Sequence, residues 1–374
     1  MFFNVLYSLY MWQRLKKAYF KYERILFLVS LIVGFIFNAI VLTRVDLFWD
    51  NFWIIVNIIL CAISIVVINY EKKPTYLNSE TVTIINLYIL QFAFGGLLST
   101  FIVYYFRSAV LAVAWPFLLI LVVALTINEL FRHKYTRMDF QVLFLFLSVY
   151  LYMAFLVPVI VKDIGQTIFF ASGVVSLIFI TIFIFVLKRT ATHKYKSEQK
   201  TIILSIIGVI VVFNSLFVLN LIPPLPLSLS DADIVHNINR NIEGKYVVTL
   251  EKEDGLSNIR ELFGDYGTYH LVNGPTAFVY SSIFAPKYFS ENIVHEWQYY
   301  DSVNKSWNTQ FVTNLSVIGG RSLGFRTYST YKGVVPGSWR VNVRLVDGPV
   351  IGRVSFRAST EYFDDNKLVT KVIE

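Results

Sequence analysis

Residues 140–161 read FQVLFLFLSVYLYMAFLVPVIV, a stretch without a single charged side chain. A helix rises 1.5 Å per residue, so this block spans the roughly 30 Å hydrocarbon core of a bilayer. Six further blocks match it in length and apolarity: Ile25–Thr43, Phe52–Tyr70, Val82–Phe106, Ala109–Phe131, Thr167–Leu187 and Ile202–Ile222. Together they predict a seven-span helical membrane domain over 23–222. Composition agrees: of 374 residues, 56% are hydrophobic and 16% charged. Soluble domains run near 45–50% and about 25%.

Charge sets the expected orientation. The net charge is +8, and the excess lies before residue 228, so it is no footprint for nucleic acid. Alternate loops hold 15 Lys/Arg: Arg14 to Arg24, Lys72 and Lys73, Arg132 to Arg137, and Lys188 to Lys200. The opposite loops hold Arg44, Arg107 and Lys162. The first set is expected in the cytoplasm. An odd number of spans then leaves the C-terminal region outside. Residues 1–22 suggest an interfacial basic helix, with Phe2, Leu6, Leu9 and Trp12 in lipid and Arg14, Lys16, Lys17 and Lys21 at headgroups. No cleavable signal is expected, because no basic region leads the apolar start. Trp49, Trp53, Tyr70, Tyr104 and Tyr105 fall near expected interfaces. Pro223-Pro224-Leu225-Pro226 opens a proline-rich tether over 223–230.

Polar residues inside apolar spans need a reason. Gln91, Arg107, Asn128 and Glu129 are candidates for a polar site in the bundle. The plainer reading is interhelical hydrogen bonding. Gly95 and Gly96 offer close helix contact, and Pro116 and Pro158 potential kinks.

Beyond the tether the period changes. Trp339, Val341, Val343 and Leu345 alternate with Arg340, Asn342 and Arg344, and Asp347-Gly348 follows. That is a half-buried strand and a hairpin turn. Pairing across it matches Leu345 with Val350, Val343 with Gly352, Val341 with Val354 and Trp339 with Phe356. Arg340 then faces Ser355 and Asn342 faces Arg353, while Pro349, lacking an N–H, should disturb the turn. Further strands are expected near Thr276–Ala285, Ile293–Tyr300, Phe311–Ile318, Leu323–Thr330 and Tyr246–Leu250. Six to eight short strands over 231–374 predict an all-β domain, an antiparallel immunoglobulin-like sandwich. Cys61 is the only cysteine, so no intrachain disulfide supports it.

Several motifs carry a resemblance. They are Phe284-Ala285-Pro286, His295-Glu296-Trp297-Gln298-Tyr299, Gly319-Gly320-Arg321, Arg326-Thr327-Tyr328-Ser329, Pro336-Gly337-Ser338-Trp339-Arg340-Val341 and Ile351-Gly352-Arg353-Val354-Ser355-Phe356. This run resembles the bacterial domain of unknown function 2914. The helical half is similar to the multi-span region joined to that domain in some members, through Gln91-Phe92, Arg107-Ser108, Trp115-Pro116 and Asn128-Glu129. The resemblance implies a bacterial envelope protein in the inner membrane and brings no activity with it.

No catalytic constellation is legible. The sequence has no His-Glu-x-x-His, no Gly-x-Ser-x-Gly and no phosphate loop, and its five histidines lack metal-ligand spacing. No cofactor and no metal are expected. Asp231 and Asp233 near His236 form an acid–base candidate or, more simply, a polar linker. The better ligand-binding candidates are His295, Trp297, Arg321, Arg326, Tyr328 and Arg340, with Trp307 as an exposed loop aromatic. Guanidinium forks take carboxylate or phosphate, and aromatic faces stack on sugars. The competing reading puts Trp297 and Trp339 in the sandwich core, with the arginines on its wet face. The function these features suggest is non-enzymatic: the outer domain binds an envelope glycan or a protein partner, and the helices anchor it in the lipid bilayer or relay occupancy. The alternative is a transporter or lipid-handling protein with its site in the bundle.

Overall fold

The computed structural model describes residues 36, 40, 47–71, 80–108, 111–130, 136–223, 226–242, 245–251, 266–272, 274–286, 289–319, 324–346, 348–364 and 367–373. Six helices stand among them, not seven: α1 (Phe48–Asn69), α2 (Glu80–Arg107), α3 (Leu111–Leu130), α4 (Met138–Val161), α5 (Gln166–Thr190) and α6 (Thr192–Val218). The seventh expected span, Ile25–Thr43, lies outside the described residues except Ile36 and Ile40, both helical, and the expected interfacial helix lies outside them altogether. Five of the six helices are long and apolar enough to cross a membrane, and α3 contributes a shorter apolar stretch, Ala114–Asn128.

The opening stretch is the hub. Helix α4 packs against α1, α2, α5 and α6. Its side chains are buried nearly all round, from Met138 through Phe155, as expected of a helix apolar on every face. Helix α5 meets it through small residues: Ser172, Gly173 and Ser176 are buried, and a Cβ on Gly173 would lie 3.2 Å from the Tyr150 hydroxyl. The link expected as a loop between Leu187 and Ile202 is instead mostly helix, because α6 begins at Thr192. Tyr104 and Tyr105 are not half wet but buried. The Tyr104 hydroxyl donates to Asp50 at 3.1 Å and the Tyr105 hydroxyl to the Leu151 carbonyl at 3.4 Å.

The C-terminal region holds β1 (Ser228–Val235), β2 (Asn237–Arg240), β3 (Tyr246–Glu251), β4 (Thr268–His270), β5 (Ala277–Phe284), β6 (Ser290–Asp301), β7 (Ser306–Ile318), β8 (Phe325–Tyr331), β9 (Gly337–Leu345), β10 (Val350–Ser359) and β11 (Leu368–Ile373). They form three sheets, β1-β5-β8, β4-β10-β9-β6-β7 and β11-β3-β2, rather than the two of an immunoglobulin-like sandwich. Nor is the pairing wholly antiparallel, since β4 runs parallel to β10. Strands such as Asn237–Arg240 and Thr268–His270 are too short and polar to show alternation. Strand β1 opens inside the stretch expected as tether.

The five-stranded and first three-stranded sheets share an apolar layer of Val279, Trp297, Trp339, Val341, Val354 and Phe356. The third sheet covers the other side of β5 through Val235, Val248, Tyr280 and Ile373. Among the described sheets, one face of the five-stranded sheet is therefore outermost in the stack.

The expected hairpin register holds at Trp339–Phe356, Arg340–Ser355, Val341–Val354, Asn342–Arg353 and Val343–Gly352. It breaks at the turn, where Val350 pairs with Arg344 instead of Leu345. Pro349 has no N–H for the ladder; its carbonyl accepts from the Leu345 N–H at 3.3 Å.

Candidate functional site

The sequence candidates separate onto three surfaces. His295 and Trp297 point into the core and are fully buried, so they are not a ligand surface. His295 bridges two serines: Nε2 lies 2.8 Å from Ser281 Oγ and Nδ1 lies 2.9 Å from Ser329 Oγ. Trp297 Nε1 donates to the same Ser329 oxygen at 2.9 Å. Burial drives the His295 pKa down to about 4, so the ring is neutral near pH 7. This Ser–His pairing has the distance of a nucleophile and base but no access to substrate.

Arg326 and Tyr328 lie on β8, on the opposite face of that strand from Ser329. Tyr328 is exposed and meets the Tyr246 ring edge-on at 6.0 Å. Arg326 Nε is buried with no partner among the described residues. Arg321 lies outside the described residues.

Trp307 and Arg340 come together on the outer face of the five-stranded sheet, with the Arg340 guanidinium 4.3 Å from the Trp307 ring centroid. Trp307 belongs to β7 rather than a loop, and its ring also sits 5.1 Å from that of Tyr300. Alternation places Arg340, Asn342 and Arg344 of β9 beside Glu296 and Gln298 of β6 and Arg353 of β10. A continuous polar network results. Arg340 Nε donates to Gln298 Oε1 at 2.6 Å, and Asn342 Nδ2 reaches the same oxygen at 3.2 Å. Arg353 Nε donates to Asn342 Oδ1 at 2.8 Å. Thr309 Oγ1 donates to Glu296 Oε1 at 3.0 Å, and Arg344 Nε stands 3.4 Å from Glu296 Oε2.

The electrostatics of this face are unbalanced. Three guanidinium groups surround the Glu296 carboxylate, which Arg344 already engages. Burial lowers the Arg340 pKa to about 10, and repulsion from Arg353 adds to the shift. Burial lowers Arg353 as well. For Glu296 burial acts upward, but hydrogen bonds from Asn342 and Thr309 and the charge of Arg344 outweigh it and the pKa falls. The Nη1 and Nη2 groups of Arg340 and Arg353 carry no hydrogen bond among the described residues. Two half-buried forks therefore keep terminal donors unengaged among the described residues, and one of them, Arg340, lies against an indole ring. We call this the arginine face. Sequence reasoning named Arg340 and Trp307 but not Glu296, Gln298, Asn342, Arg344 or Arg353. The alternation of β9 and its pairing with β10 held the signal for the last three.

Two further clusters were invisible in sequence. Glu251 accepts from His236 Nε2 at 3.0 Å through Oε1 and lies 2.9 Å from His270 Nδ1 through Oε2. The Asp231 and Asp233 reading fails here. Asp231 accepts from the Tyr280 hydroxyl at 2.8 Å, and the nearest carboxylate to the His236 ring is Glu251. Among the described residues no group of three His, Cys, Asp or Glu is arranged to hold a metal ion. In the bundle, Asn69 donates to Gln141, and Lys194 Nζ caps Asn69 Oδ1 at 2.6 Å. Asn128 Nδ2 reaches the Gln91 carbonyl at 3.5 Å, both residues buried. The side chains of Arg107 and Glu129 lie outside the described residues.

No curated protein matches the chain. Among solved structures, the Pseudomonas fluorescens alkylpurine DNA glycosylase AlkC bound to DNA containing an abasic site analog pairs with 81% of this chain and 97% of its own at 8% identity. Its TM-score of 0.22 carries no argument about fold or function. Residues 290–358, the segment from β6 to β10 that bears the arginine face, match the model of a family described as a protein of unknown function (DUF2914).

Proposed function

We propose that the chain is a non-enzymatic envelope protein of the bacterial inner membrane whose extracytoplasmic β domain binds an acidic glycan across the arginine face. The observation that carries this reading is the pair of half-buried, mutually repelling guanidinium groups of Arg340 and Arg353, whose terminal donors are unengaged among the described residues, with Arg340 over the Trp307 ring. A carboxylate or phosphate on a sugar relieves that repulsion with paired N–H···O bonds, and the indole offers a stacking surface. Gln298 and Asn342 hold the two guanidinium groups in place, through Arg340 Nε to Gln298 Oε1 and Arg353 Nε to Asn342 Oδ1.

Membrane anchoring is supported by what the helices expose. Phe92, Ile182, Leu204 and Val218 are more than half exposed on outward faces. In water such a continuous apolar surface is a liability; in lipid it is the required one. The basic segments also converge: His193 and Lys194 backbone N–H groups bind Glu71, and Lys194 Nζ reaches the Thr136 carbonyl. Among the described residues the end of α1, the residue leading into α4 and the start of α6 meet here, away from the α4 and α6 ends that line the junction with the β domain, which supports the cytoplasmic assignment. A carrier with its site within the bundle has less support, because Asn69 donates to Gln141 and Asn128 to the Gln91 backbone carbonyl, inside the packed helices.

The test uses the full chain in detergent with polygalacturonate and neutral dextran as probes. Polygalacturonate is expected to bind and to weaken steeply with added salt, and dextran not to bind. The double variant R340A/R353A is expected to lose at least tenfold in affinity. Equal binding of dextran, or unchanged affinity in the double variant, overturns the reading. Binding of an acidic peptide in place of the glycan moves the arginine face to a protein partner.

A further inference from the structure

A cavity of about 330 Å³ lies where the helices meet the β domain, bounded by the ends of α4 and α6, the start of α5, and the β9–β10 turn. Its volume is in the range of small-molecule pockets. Its depth is apolar. Phe169 and Phe217 stack flat at 3.9 Å, and Ile222 and Leu345 are buried beside them. Its rim is polar and neutral, formed by Gln166, Asn220 and Asn292. The side-chain amides of Gln166 and Asn220 have no hydrogen-bond partner among the described residues. Asn220 is held at the rim by a left-handed backbone (φ 55°), a conformation asparagine tolerates, and its N–H is bound to the Phe217 carbonyl at 2.9 Å. Among the described residues no charged side chain lines the space.

We infer that this junction holds an uncharged amphiphile of the acylglycerol class, with its chain against Phe169 and Phe217 and its hydroxyl head at Gln166 and Asn220. The position matches the chemistry. Three apolar helices end here, at the pole away from the basic loops, where a bilayer changes from hydrocarbon to headgroup. The apolar depth continues the lipid environment, and the amides replace the water a head group loses on entry. Among the described residues no cation lines the cavity to compensate a desolvated phosphate, which selects against charged lipids. Because Leu345 and the turn at Gly348 and Pro349 form one wall, occupancy touches the hairpin that carries the arginine face.

The inference rests on the reading of the helices as membrane-embedded, and the experiment separates the two. Full-length protein is placed in phosphatidylcholine nanodiscs with a diazirine-bearing monoacylglycerol or its phosphorylated analogue, and labelled peptides are mapped by mass spectrometry after illumination. The neutral probe is expected to label residues around Phe169, Phe217 and Leu345 saturably, at least tenfold above the anionic probe. Gln166→Trp covers the mouth from an exposed position and leaves the packed bundle untouched; it is expected to cut labelling at least fivefold. Phe217→Trp, filling the floor, is expected to do the same. Diffuse, non-saturable labelling of outer helix faces, equal labelling by the anionic probe, or no response to Gln166→Trp overturns the inference while leaving the membrane reading intact. Failure of the protein to float with phosphatidylcholine vesicles overturns both.

Discussion

His295 shows how a residue with the chemistry of a site becomes a piece of scaffold. It is enclosed between Ser281 and Ser329 under Trp297 with no exposure, and burial holds its pKa near 4 against an ordinary 6.5. The unfolded chain therefore takes up a proton as pH falls through 6.5, and the folded chain does not until about 4. Stability of the β domain is present in full above 6.5 and declines between 6.5 and 4, by about 3 kcal/mol at the lower limit. The measurement is the unfolding midpoint of wild type and H295Q across that window by near-ultraviolet circular dichroism. The two curves should converge as pH falls; parallel curves would show that the imidazole is not the titrating group. That His295 and Trp297 share a strand face was legible from alternation. Which face was not, because both sides of β6 carry polar residues and both are largely covered.

Among the elements, the β9–β10 hairpin was the most legible, since a slip of one residue would reverse every side chain. Its empty slot was not explained by the hairpin alone. Gly352 sits opposite Val343 because Leu229 of β1 occupies the space above it; a Cβ there would lie 2.0 Å from Leu229 Cδ2 and 2.9 Å from Leu229 Cβ. Gly352→Ala is expected to destabilise the β domain by about 1–3 kcal/mol through overpacking. Leu229→Ala in the same chain should recover part of that loss, and thermal unfolding of the single and double variants reads the coupling. Additive losses would mean that the two positions do not compete for space. Strands β2, β4 and β11 stayed hidden because short, mixed-polarity segments carry no period, and only pairing with β3 and β10 makes them strands.

For the whole molecule the proposed membrane reading turns on the side on which the β domain sits. Among the described residues, Lys194 meets the end of α1 and the residue leading into α4, away from the α4 and α6 ends that line the junction with that domain, and 15 of the 18 Lys/Arg before residue 228 fall in the segments expected on that side. Alkaline phosphatase fused after Glu374 is expected to be active and a cytoplasmic fluorescent protein at the same point dark. The reverse pattern would invert the orientation and remove any envelope ligand from reach of Arg340 and Arg353. If the orientation holds, the junction cavity faces the outer leaflet and the arginine face the space beyond it.

Sequence by itself determined six apolar helices to within their ends, the composition break after Ile222, the strands of strong alternation and the register of β9 against β10 short of the turn. These depend on local or repeating patterns, where length, period and charge act residue by residue. The tertiary structure alone decided that Trp297 is core while Trp307 is surface, that Arg353 joins Arg340 rather than Arg326, that Glu251 meets two histidines, and that a neutral cavity opens between the helices and the sheets. Each of these is a meeting of side chains far apart in the chain, and their separation is fixed only when the sheets stack and the apolar surfaces between them are excluded from water.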